Sequence, residues 1–119
     1  MNNNFPPEVN AALNKMSKER IKASEFEQSL TLQFVSVEKI KSQFGATEDA
    51  SIVERGVLEE GEQFLYTFKD KEGDTRRFYS HSFPFLIAMQ SAEFNEGDWL
   101  TITRTGKAKE TKYTVSTES

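Results

Sequence analysis

The segment Trp99-Leu100-Thr101-Ile102-Thr103-Arg104-Thr105 is entered through Gly97-Asp98, crosses the turn Gly106-Lys107-Ala108-Lys109-Glu110 and returns over residues 111–116. Side chains of a strand point alternately to its two faces, so period-two alternation bounded by glycine reads as a β-hairpin. Leu100 and Ile102 then share the buried face, and Trp99, Thr101, Thr103 and Thr105 the outer one. The turn is basic: Lys107 and Lys109 sit between Arg104 and Lys112 in a chain whose net charge is −4. Positive charge gathered against an opposite total points to a placed binding surface.

Working back from this hairpin, residues 83–94 read as a helix. Ser82 is its cap, Pro84 takes an early position, and Phe85, Leu86, Met89 and Phe94 supply the buried face before Asn95-Glu96-Gly97 closes it. A second hairpin precedes it. Residues 62–69 put Phe64, Tyr66 and Phe68 on one face and Leu65, Thr67 and Lys69 on the other; Asp70-Lys71-Glu72-Gly73-Asp74 turns the chain, and residues 75–80 return. Further back, Leu30-Thr31-Leu32-Gln33-Phe34-Val35-Ser36-Val37 alternates, shifts phase around Phe34-Val35 and runs on toward Phe44, with Gly45 ending it. A phase shift inside a long strand predicts a β-bulge, which bends the strand. Residues 46–61 form an acidic connection. At the start, Pro6-Pro7 precedes residues 8–22, where Val9, Leu13, Met16 and Arg20 fall at helical spacing. This is either a short helix or an extension that orders against a partner or a second subunit, and the compact domain is expected to begin near Ser24.

At 119 residues with 36% apolar content the chain suits one modest core. No run approaches the roughly 20 apolar residues that cross a bilayer, and Asn2-Asn3-Asn4 lacks the basic and apolar regions of a signal peptide. A cytoplasmic protein without a membrane partner is the expectation. The absence of cysteine removes disulfides and thiolate ligands. Charge is segregated: Glu48, Asp49, Glu54, Glu59, Glu60 and Glu62 face a single Arg55 in sequence, Arg104, Lys107, Lys109 and Lys112 face Glu110, and Lys15, Lys18, Arg20 and Lys22 form a third group.

Catalytic chemistry has little to stand on. His81, the single histidine, lies between Ser80 and Ser82, and three neighbours on one strand end cannot supply nucleophile, base and orienting acid. No GxxxxGK phosphate loop occurs, and Glu59, Glu60 and Glu62 read as a solvated acidic loop rather than metal ligands. A non-catalytic protein with no cofactor and no metal is expected.

One long bent strand, a two-strand hairpin, a helix and a final hairpin: this order resembles the OB-fold, a five-stranded Greek-key barrel with a helix between its third and fourth strands. The resemblance covers residues 25–116 and rests on the Gly97-Asp98 entry, the helix at 83–94 and the bulged first strand. It implies a mainly β domain over residues 25–119 behind an N-terminal extension, partly helical or disordered, over residues 1–24. Within the fold the chain is similar to small single-stranded DNA-binding proteins of the compact phage or plasmid type. The resemblance implies nucleic acid, DNA or RNA, lying across the second and third strands, gripped by the first and last inter-strand loops, in replication or recombination. It would put Tyr66, Arg76, Arg77 and Tyr79 on or near the platform and Lys107, Lys109 and Lys112 on the clamp, with Trp99 and Arg104 as further candidates. Three aromatics in phase, Phe64, Tyr66 and Phe68, equally suit a core; Trp99 can cover the helix end, and Arg104 can pair with a carboxylate at the rim. Bacterial members commonly carry an acidic tail tipped with Phe, which Ser116-Thr117-Glu118-Ser119 does not match, so recruitment through such a tail is not expected. One barrel covers few nucleotides, so self-association through the N-terminal segment or strand edges goes with this reading. The alternative is an OB-like protein–protein adaptor working through the acidic residues 48–62.

Overall fold

A computed structural model describes residues 7–8, 19–41, 55–59, 61–107 and 110–118. Most of the expected N-terminal helix, the run toward Phe44, most of the acidic connection and Lys109 lie outside these residues. A 3-10 helix, Ala23–Gln28, leads into strand β1, Leu30–Lys41, followed by β2, Glu62–Lys69, and β3, Thr75–Ser80. Helix α1, Phe83–Ser91, joins β3 to β4, Trp99–Thr105, and β5 is Lys112–Thr117. The strands form one antiparallel sheet in the order β3-β2-β1-β4-β5, with the helix between the third and fourth strands.

Strand β1 holds the sheet together because its two halves serve different neighbours. Leu30 to Gln33 pair with β4, from Leu30 opposite Ile102 to Gln33 opposite Trp99, while Gln33 onward pairs with β2. The register breaks between Phe34 and Ser36, leaving Val35 as the extra residue of the bulge at the phase shift. The chain entering β4 is tied to this bend: the Phe34 N–H donates to the Asp98 carbonyl at 2.9 Å and the Gly97 N–H to the Phe34 carbonyl at 2.9 Å.

The concave face carries the core. Leu32, Phe64, Tyr66, Phe68, Phe78, Leu100 and Ile102 are buried there, covered by Phe26 of the 3-10 helix and by Phe85 and Met89 of α1. The edge strands β3 and β5 do not pair with each other among the described residues, yet both rest on the same rings. Phe78 of β3 lies 5.0 Å from Phe26 and 4.8 Å from Phe85, and Tyr113 of β5 lies 5.0 Å from Phe85, all edge to face. The sheet therefore curls around Phe26 and Phe85 without closing.

Ser82 caps α1 by accepting from the Phe85 N–H at 3.3 Å. The helix stops three residues earlier than its apolar spacing predicts, because Glu93 turns to φ 48°. Phe94 then reaches Phe34 at 4.8 Å from outside the helix. The N-terminal segment is tied to the sheet from Arg20 on: Arg20 bridges Arg77 in parallel, the Ile21 N–H donates to the Arg77 carbonyl at 2.8 Å, and Ile21 is 3% exposed. This covers an edge of β3 that otherwise presents open backbone groups. No helix among the described residues is long and apolar enough to cross a membrane.

Tyr66 marks one imperfection in this core. Its ring packs against Phe85 at 4.7 Å, but its hydroxyl has no hydrogen-bond partner among the described residues. A buried, unpaired hydroxyl is a cost of about 1–3 kcal/mol that phenylalanine does not carry. Tyr66→Phe is therefore expected to raise stability by about 1 kcal/mol in urea unfolding; a loss would mean that the hydroxyl is bonded.

Candidate nucleic-acid interface

Residues directly opposite in an antiparallel pair point to the same face, so the registers define the convex side of the sheet row by row. Tyr79 stands beside Leu65 and Glu38, and Arg77 beside Thr67 and Ser36. The next row runs across four strands: Thr75, Lys69, Gln33 and Trp99. Beyond it come Thr31, Thr101 and Ser116, then Thr103 and Thr114, tied by hydroxyl pairs such as Thr31 to Thr101 at 3.0 Å. The convex face thus has tyrosine and arginine on β3, tryptophan on β4, and lysine with a hydroxyl-rich surround between them. Gln33 donates its side-chain N–H to the Gly97 carbonyl at 3.0 Å, fixing the backbone that leads into Trp99. Beside Trp99, Thr31, Lys71 and Glu118 complete a shallow depression of about 340 Å³.

Arg77, Tyr79 and Trp99 are brought to this one face. Tyr66 and Arg76, expected with them, face the other way. Tyr66 alternates with Leu65 and Thr67 and is 2% exposed, so no base can stack on it, and burial pushes its phenol well above the ordinary tyrosine range. Arg76 is in phase with buried Phe78 and is 8% exposed, its Nη2 donating to Glu25 Oε1 at 2.8 Å. Arg104 also lies on the concave phase and pairs with Glu27 at 3.3 Å, the rim pairing that was the alternative for it. Opposite it, Tyr113 is pushed up by burial, with Arg104 working against that shift. Lys107 and Lys112 are exposed, Lys107 in the β4–β5 turn and Lys112 at the start of β5 on the convex phase; Lys109 lies outside the described residues. Gly106, at φ 80°, shapes this turn: a Cβ there would run into the Glu110 carbonyl.

Lys69 and Lys71 belong to the arrangement although sequence reasoning did not single them out. The signal for Lys69 was its alternation with Leu65 and Thr67; its place beside Trp99 depends on the register of three strands. The N-terminal segment is the other unforeseen neighbour. Glu19 Oε2 accepts from Arg77 Nη1 at 2.8 Å, and the Arg20 guanidinium lies 5.4 Å from the centre of the Tyr79 ring. Asp70, Glu72 and Asp74 bring carboxylate oxygens within 4.8 Å of one another, but Asp70 Oδ1 accepts from the Glu72 and Asp74 N–H groups, which is the chemistry of a tight turn.

The Glu25–Arg76 pair makes a pH-dependent contribution. Burial works to raise the Glu25 carboxyl, but the Arg76 hydrogen bond and the Lys22 N–H at 2.7 Å, with both positive charges, hold it below its ordinary value of 4.5. A lowered folded pKa means that the stabilisation is fully present above the unfolded value and is lost as pH falls through the folded one. The melting temperature should therefore fall more steeply below about pH 4.5 in the parent than in Glu25→Gln. Parallel curves would show that the pair contributes nothing.

Comparison with protein-family models, with curated proteins and with solved structures finds no match to this chain.

Proposed function

We propose that this chain is a non-catalytic single-stranded DNA-binding protein that holds the strand across its convex face, without sequence preference. The observation that carries the reading is the row from Lys69 through Gln33 to Trp99, with Arg77 and Tyr79 on the same face. Unpaired bases offer π faces to Tyr79 and Trp99, and Arg77, Lys69 and Lys71 suit the phosphates that follow between them. Lys107 and Lys112 extend the positive field along the β4–β5 turn. The curled five-stranded sheet with its bulged first strand supports an OB-type barrel open between β3 and β5.

The test is fluorescence anisotropy of a labelled oligo-dT of about 30 nucleotides at low and moderate salt, with Trp99 emission followed in parallel. Saturable binding that weakens with salt and quenches Trp99 is the expected result. No binding at high micromolar protein and low salt would end the reading. Self-association belongs to the same proposal, and the free edge of β5 is its place, since the β3 edge is covered by Arg20 and Ile21. Light scattering is expected to show a species larger than the monomer, and a strict monomer at high concentration removes this part.

A further inference from the structure

Between the end of β3, the start of α1, Tyr113 of β5 and the segment around Arg20 lies a cleft of about 500 Å³. It is separate from the depression beside Trp99 and sits where the sheet fails to close. Its lining is unlike the rest of the molecule. The chain has 19 acidic and 15 basic residues, yet no carboxylate lines this cleft, while Arg20, Lys22 and His81 all do. Among the described residues none of these three forms an ion pair; Arg20 rests over Tyr79, and Glu25, the acid nearest Lys22 in sequence, is committed to Arg76. An acidic protein that keeps one concavity free of acids and leaves its cations there unneutralised has built a site for an anion.

The remaining walls say which anion. Tyr79 and Tyr113 line opposite sides, on β3 and β5, and Phe78 and Ile21 supply apolar floor. Tyr113 is fixed by Phe26 at 6.2 Å and Phe85 at 5.0 Å, so its place in the wall is set by the core. Aromatic wall, apolar floor and clustered nitrogen donors fit a flat heterocycle joined to a phosphate. The first turn of α1, with Ser82 as cap, adds its positive end to the same region. Three donor groups exceed what one phosphodiester charge calls for and match a terminal monoester, which carries about −1.5 to −2 at neutral pH.

We propose that this cleft binds a nucleotide bearing a terminal phosphate, with the phosphate on Arg20, Lys22 and His81 and the base along Tyr113. The ligand is either a free mononucleotide or the phosphorylated end of a strand; the second form rests on the function proposed above, the first does not. Because Tyr79 belongs both to the cleft wall and to the convex face, a strand lying on that face has a direct way into the cleft for its last nucleotide.

The experiment titrates the isotope-labelled full chain with dTMP, thymidine and inorganic phosphate, following amide shifts. In parallel it measures anisotropy of an oligo-dT of about 10 nucleotides with hydroxyl ends, a 5′-phosphate or a 3′-phosphate. dTMP is expected to saturate in the sub-millimolar range with shifts centred on residues 79–82 and Tyr113, and to bind at least about tenfold more tightly than thymidine or phosphate alone. One phosphorylated end is expected to improve oligonucleotide binding by about three- to tenfold. The variant with Lys22→Gln and His81→Gln, both outside the apolar core, should lose both effects while keeping the affinity of the hydroxyl-ended strand. dTMP binding without any advantage of phosphorylated ends assigns the cleft to free nucleotide. Thymidine binding as well as dTMP, shifts confined to other residues, or a variant that binds dTMP like the parent would overturn the proposal. Failure of every oligonucleotide with dTMP binding intact would instead remove the convex-face reading and leave the cleft standing.

Discussion

Phe85→Ala is expected to lower stability by about 3–5 kcal/mol, the range for emptying a large aromatic site in a packed core. Phe85 is fully buried and touches Tyr66 at 4.7 Å, Phe78 at 4.8 Å, Tyr113 at 5.0 Å and Phe26 at 5.8 Å. These rings come from β2, β3, β5 and the 3-10 helix, so one truncation leaves a cavity bordered by four elements. Collapse into it is opposed because the edge strands are not hydrogen-bonded to each other and meet only through such rings. A domain of this size has about 5–15 kcal/mol in total, so the variant should be marginal at room temperature. Urea unfolding measures it: with a slope of about 1–3 kcal/mol/M, the midpoint should fall by more than about 1 M. Phe85→Leu, which keeps most of the volume, should lose distinctly less. A loss below about 1 kcal/mol for alanine would mean that Phe26 alone organises the two edges.

The second large effect concerns binding. Tyr79→Ala and Trp99→Ala should each weaken oligo-dT binding by about 1–3 kcal/mol, the usual contribution of a base stacked on an aromatic ring. They sit at opposite sides of the convex face with β2 and β1 between them, so the double variant should lose close to the sum. Lys69→Gln should act differently, lowering affinity at low salt and making the slope of log K against log salt shallower by about 0.7, one phosphate contact on a single strand. Tyr66→Phe serves as the internal control, since it lies on the concave face and should leave affinity unchanged. Anisotropy at four salt concentrations separates these outcomes. Unchanged affinity in the Tyr79 and Trp99 double variant would take the strand off this face altogether.

What the linear chain revealed followed its local periods. Both hairpins, the bulge at Phe34-Val35 and the capped helix were legible because each is decided within a dozen residues. Arg77 and Tyr79 could be placed together because they alternate with Phe78. Residues needing long-range information were placed less well. Arg76 has the period of a buried residue but the chemistry of an exposed one, and only Glu25, distant in sequence, reconciles the two. The 3-10 helix Ala23–Gln28 has a single buried residue, Phe26, and so no repeat to read. That Trp99 stands in line with Lys69 depends on the registers of β4 with β1 and of β1 with β2, which no local pattern encodes.

The contacts of Glu19 and Arg20 with Arg77 and Tyr79 have a consequence for kinetics. A carboxylate on the arginine and a planar guanidinium on the tyrosine are chemical stand-ins for a phosphate and a base, and they are delivered by the chain itself. Strand capture at β3 is then an exchange and not an addition: an arriving phosphate displaces Glu19, and a departing one is replaced from within. A tethered competitor acts at high effective concentration, so it shortens the lifetime of partly detached strands more than that of fully seated ones. Such a protein would let go quickly once one end of its strand is lifted.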